Sequence, residues 1–154
     1  MPAVQTFRRL AMIVVMAGVM MTGDARAEVS CHTINARGVG QDLGGGATEA
    51  QIIGGGLLEG TTAAQFIITG VSGTLASFEG TVTFTTNRAT LTVTVAGTLD
   101  VATGGFSASG PVTDASGKLE GATGSLSING IQDLATGRFE EDVTGEICVD
   151  LSPR

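Results

Sequence analysis

From residue 28 onward, apolar and polar residues alternate with a period of two, and the 3.6-residue spacing of a helix is almost absent. Phe78, Gly80, Val82 and Phe84 share one parity, with Glu79, Thr81, Thr83 and Thr85 on the other. Leu91, Val93, Val95, Gly97 and Leu99 then alternate with Thr90, Thr92, Thr94, Ala96 and Thr98. A period of two puts alternate side chains on opposite faces of a strand, and threonine suits the wet face because its β-branch favours an extended backbone. Eight such runs fall near residues 29–38, 50–58, 63–70, 77–86, 89–99, 105–113, 123–132 and 138–149. The gaps are short except after the first run, so consecutive strands should be antiparallel neighbours. Closing the sheet on itself removes both exposed edges. The expected fold is therefore all-β, an eight-stranded antiparallel meander closed into a barrel.

A repeated phrase marks two of the hairpins. Gly97-Thr98-Leu99-Asp100-Val101-Ala102-Thr103-Gly104-Gly105-Phe106 returns as Gly130-Ile131-Gln132-Asp133-Leu134-Ala135-Thr136-Gly137-Arg138-Phe139. In each copy the aspartate can accept hydrogen bonds from backbone N–H groups in the turn, and the glycine supplies a positive φ where the next strand starts. Asp100 and Asp133 are thus turn acceptors before they are calcium ligands, because no run of oxygen ligands surrounds them. Gly44-Gly45-Gly46 and Gly54-Gly55-Gly56 read as flexible loops or bulges around the second strand. Neither is followed by the Lys-Ser/Thr of a phosphate-binding loop.

The first 27 residues have a different pattern. Arg8-Arg9, an uncharged run from Leu10 to Met21, and Ala25-Arg26-Ala27 read as a signal peptide cleaved after Ala27. The apolar run is too short for a comfortable membrane span, which needs roughly 20 residues. Residues 28–154 are expected to form a single β-barrel domain in a secreted or periplasmic protein. Removing the signal takes three arginines and one aspartate from a chain with 8 basic and 15 acidic residues, which leaves a net charge of −9. Such an acidic chain would be repelled by nucleic acid and by anionic lipid. Cys31 and Cys148, near the two ends of the exported chain, meet an oxidising compartment and are expected to form a disulfide. That bond suits a barrel in which the first and last strands pair. One histidine and two cysteines make a metal site improbable, and no cofactor is expected.

The segment Ser116-Gly117-Lys118-Leu119-Glu120-Gly121-Ala122-Thr123-Gly124 resembles a Gly-Thr/Ser-Gly-x-Phe-x-Gly-Ala-x-Gly signature of allene oxide cyclases and dirigent proteins, with Leu119 in place of the usual Phe. The resemblance is good over residues 97–148 and rests on pattern alone before that. It implies an eight-stranded antiparallel barrel with a central cavity, in a bacterial secreted relative of that superfamily. The motif is structural there, so it implies a fold and places no catalytic residue.

The inward parity carries few polar groups. His32 is the only histidine, and it faces inward with Ile34 and Ala36 if Cys31 and Cys148 face outward. Glu141 shares the parity of Phe139, Val143, Gly145 and Ile147, and an inward carboxylate would have a raised pKa and could orient a ligand or act as a general acid. Direct opposition of the two cysteines sets Glu141 across from Gly38, six residues along the strand from His32, or about 20 Å. The two are therefore not a dyad. Phe84 and Phe106 complete the candidate ligand contacts, as bulky inward side chains.

These features favour a binding or structural barrel whose cavity holds a small apolar ligand. A cyclase- or dirigent-like enzyme that confines a reactive intermediate is the alternative. A third reading is an oligomeric surface or matrix component, built by association of the threonine-rich outer faces into a homo-oligomer.

Overall fold

In a computed structural model the described residues are 27–153, so the expected export signal lies outside them apart from its last residue. The alternating runs form eight strands: β1 (Val29–Gly44), β2 (Ala47–Ile53), β3 (Gly60–Ser72), β4 (Leu75–Thr85), β5 (Ala89–Asp100), β6 (Gly105–Gly117), β7 (Thr123–Gln132) and β8 (Arg138–Asp150). Each pairs antiparallel with its neighbours in sequence, and β1 pairs with β8 to close the barrel. The closing register runs from Val29 opposite Asp150 to Gln41 opposite Arg138. Cys31 sits directly opposite Cys148, and the two are joined by a disulfide across the seam. No helix among the described residues is long and apolar enough to cross a membrane.

The early strands differ from the sequence reading. Gly44-Gly45-Gly46 is neither a loose loop nor a long gap. It ends β1 and turns directly into β2, with all three glycines at positive φ (82°, 64° and 80°), the conformation a tight hairpin demands. Consequently β1 runs six residues further than the alternation suggested, and β2 starts at Ala47 and stops at Ile53. The longest connection is instead 54–59, where Gly56–Leu58 makes a single 3₁₀ turn. Strand β6 also continues to Gly117, past its expected end at residue 113. There, Val112 pairs with Val93 and Asp114 with Thr92, leaving Thr113 as an extra residue in a bulge that masks the period of two.

The outer face carries the threonines. Hydroxyl pairs bridge adjacent strands at Thr83–Thr92 (3.0 Å), Thr94–Thr113 (3.0 Å) and Thr90–Ser116 (2.6 Å), and Ser107 donates to Asn129 (2.7 Å). The inner face carries the core, and it is filled unevenly. Near the chain termini, Phe84, Leu91, Val93, Val143 and Ile147 are fully buried. That end is plugged by Leu58 from the 3₁₀ turn and by Leu119 from the loop after β6, both essentially inaccessible. Leu119 acts as the stopper.

At the opposite end lie the four tight hairpins: β1–β2, β3–β4, β5–β6 and β7–β8. The two copies of the repeat make the last two. Asp100 Oδ1 accepts from the Ala102 N–H (2.9 Å), and Asp133 Oδ1 accepts from Ala135 (2.9 Å) and Thr136 (3.3 Å). These backbone donors hold both carboxyls below the usual aspartate range. Gly104 and Gly137 follow at φ 80° and 76°, as the turn requires. No plug enters from this side among the described residues.

Candidate functional site

The unplugged end opens into a chamber of about 160 Å³. Its shape follows from pairings in which a large inward side chain faces an inward glycine on the next strand. Phe66 is opposite Gly80, Phe78 opposite Gly97, Phe106 opposite Gly130, and Phe139 opposite Gly40. Three of these rings lie over their glycine. A Cβ placed on Gly80 would come within 2.6 Å of Phe66 Cδ1, one on Gly40 within 2.7 Å of Phe139 Cε2, and one on Gly130 within 2.9 Å of Phe106 Cε1. The rings cover backbone that would otherwise be bare and leave the centre of the tube unfilled. They meet in two edge-on pairs, Phe66–Phe78 with centroids 5.1 Å apart and Phe106–Phe139 at 6.0 Å. Leu99, Val82 and Ile128 complete most of the remaining wall.

Polar groups are few. Thr48 and Thr62 reach the wall from β2 and β3. Asp42 and Gln132 are bonded to each other (Gln132 Nε2 to Asp42 Oδ2, 3.0 Å), and Asp42 Oδ1 also accepts from the Gly44 N–H (2.7 Å). Both Asp42 oxygens are thus already engaged. Glu141 differs. It is opposite Gly38 on β1 and Gly130 on β7, so neither neighbouring strand offers a side chain beside it. A Cβ on Gly38 would stand 2.6 Å from Glu141 Cγ and 2.7 Å from Oε1, which shows that the carboxyl folds over the bare glycine. Among the described residues it has no hydrogen-bond or ion-pair partner. Burial without a compensating donor pushes its pKa up to about 7.

The residues singled out from the sequence therefore fall in different places. Glu141 and Phe106 line the chamber together. Phe84 does not: it is fully buried in the plugged half, paired with Leu91 and Thr62. His32 lies at the plugged end, opposite Ile147, in a shallow surface recess with Gly55 and Leu57, and its Nε2 is 2.9 Å from Ser30 Oγ. The spacing expected from the cysteines holds, with Glu141 opposite Gly38 and His32 six positions away. Compared with family models, with curated proteins and with solved structures, the chain matches none.

Sequence reasoning did not bring Phe66, Phe78, Leu99 or Phe139 to the chamber. The signal for Phe139 was present, because counting along β1 and β8 from the cysteine pair sets it opposite Gly40. For the others the register of each hairpin had to be known first. The aromatic chamber and its single unpartnered carboxyl can hold a compact apolar body and meet one polar group on it.

Proposed function

We propose that this protein is an exported carrier or scavenger barrel that holds a small apolar molecule in its open half. The observation that carries the reading is the chamber itself, walled by two phenylalanine pairs at an unplugged end. Cavities of this size with apolar walls take up single aromatic rings from water. Its mouth supports the reading too. Each of the four hairpins there carries an exposed large apolar side chain: Leu43, Val71 and Leu75, Val101, and Leu134. An apolar rim lowers the barrier for an apolar guest leaving water. The leader-like first 27 residues support export, and the disulfide is in keeping with it. Within this reading the protein is a member of the allene oxide cyclase and dirigent-like barrel superfamily that has kept the container.

The enzyme alternative has less support. General acid–base chemistry on a confined substrate is served best by two groups with separated pKa values. Here Glu141 lines the chamber while His32 is at the far end of β1.

Titrating the isotopically labelled protein with toluene, followed by amide and methyl NMR, tests the carrier reading. Saturable shifts centred on Phe66, Leu99 and Phe139, with none around Leu119 and Phe84, are expected, and Ala64→Leu should weaken them by narrowing the chamber. Shifts that do not saturate, or that centre on the outer faces, would overturn it.

A further inference from the structure

We propose that the chamber selects apolar molecules bearing one basic nitrogen, a small lipophilic amine whose ammonium meets the Glu141 carboxylate while its hydrocarbon body fills the space between the phenylalanines. This rests on the carrier reading and names the class of guest.

The surroundings of Glu141 point to such a guest. Across the seam, β1 faces it with Gly38 and, nearer the mouth, with Asp42, whose oxygens already accept from Gly44 and Gln132. Strands β2 and β3 contribute Thr48 and Thr62 to the chamber wall, β4 to β6 contribute apolar side chains alone, and β7 adds Ile128 and Gln132. Among the described residues, no lysine, arginine or histidine lines the chamber. Both ionisable groups in the wall are acids, and the deeper one has two lone-pair-bearing oxygens and no donor. A guest that brings a donor gives Glu141 the partner that the neighbouring strands do not supply, whereas a guest carboxylate would face two acids. A charged donor gains more than a neutral one, since hydrogen bonds between ionised groups are the stronger kind. The size of the space agrees: about 160 Å³ admits one six-membered ring with a short arm. The overall acidity of the chain, with a formal charge of −7, favours approach of a cation over an anion.

Each group then has a defined role. The ammonium keeps its proton and donates an N–H to a Glu141 oxygen, so no bond is made or broken beyond the hydrogen bond. Binding requires the ionised carboxyl, whose pKa burial has lifted into the neutral range. The amine should therefore bind more tightly as pH rises from 6 to 8, and by mass action a bound ammonium should lower that pKa.

Calorimetric titrations with toluene, benzyl alcohol, benzylamine and benzoate, at pH 6 and pH 8, on the wild type and on Glu141→Gln, decide the matter. At pH 8 benzylamine should bind at least about tenfold more tightly than benzyl alcohol, with benzoate weakest. Glu141→Gln should remove the advantage of the amine over the alcohol and its pH dependence. Equal affinity for the amine and the alcohol on the wild type would overturn the amine assignment and leave the carrier reading standing. Failure of all four to bind would remove both. The wild-type series needs no variant, so poor folding of Glu141→Gln would not rescue the proposal.

Discussion

The two halves of this barrel are built from the same strands and end up doing different things. Toward the termini, inward positions hold Phe84, Leu91, Val93, Val143 and Ile147, and two leucines from loops close the tube. Toward the hairpins, four inward phenylalanines each face an inward glycine on the next strand, and nothing among the described residues closes the tube. A β-branched or leucine side chain on every strand fills the axis of a narrow barrel. A phenylalanine laid over a glycine spends its bulk on the wall and leaves the axis empty. Glycine is therefore placed here for the space it leaves beside it, and Glu141 uses the same device at Gly38.

That contrast can be broken at several points. Phe84→Ala should have the largest effect, about 3–5 kcal/mol of stability, because it empties a site with no room to collapse. Phe106→Ala, which borders space already open, should cost no more than about 2 kcal/mol. Urea unfolding of the two variants gives the difference directly, and equal costs would mean the halves are equally filled.

Replacing both cysteines with alanine should cost roughly 2–5 kcal/mol, since the bond closes a loop with a sequence separation of 117 in the unfolded chain. Amide exchange should report the loss first along β1 and β8 at the plugged end, where the bond fastens the seam, and only later at the hairpins.

Stability should also depend on pH through the open half. Glu141 has its pKa raised by folding, from about 4.5 to about 7. The folded state then holds a proton that the unfolded state has lost, so stability falls as pH rises between these values and is level above the upper one. The penalty is on the order of 3 kcal/mol at most. Comparing wild type with Glu141→Gln from pH 4 to pH 8 isolates it: the variant should gain relative to wild type as pH rises. A difference that is flat with pH would mean that the carboxyl is solvated.

The smallest effects separate two glycines. Gly40→Ala places a methyl against the Phe139 ring and the Glu49 carbonyl, and should cost about 1–3 kcal/mol. The atoms nearest to the methyl of Gly38→Ala all belong to the flexible Glu141 side chain, which can turn away, so stability should change by less than in Gly40→Ala. The titration of Glu141 should move instead.

Much of this architecture could be read from the chain. The period of two located the strands, the turn phrase around Asp100 and Asp133 located two hairpins, and the cysteine pair set the closing register well enough to separate His32 from Glu141. The failures have physical causes. Three consecutive glycines are compatible with a floppy loop and with a tight hairpin, and only the pairing of β1 with β2 distinguishes them. The extra residue at Thr113 shifts the parity of β6 and hides its last stretch of pairing. Phe84 and Phe106 look alike in sequence, each an inward aromatic. One is walled in by Leu91 and Thr62, and the other lies over Gly130 with the axis open beside it. That distinction depends on which residue lies across the strand, a relation that alternation along one strand does not contain.

The hairpin half encloses an apolar chamber with one unpaired carboxyl, and carbon-13 NMR titration of the Glu141 side chain in the guest-free protein tests this most directly. The expected midpoint is about 7. A midpoint at the ordinary value for an exposed glutamate, near about 4.3, would contradict it.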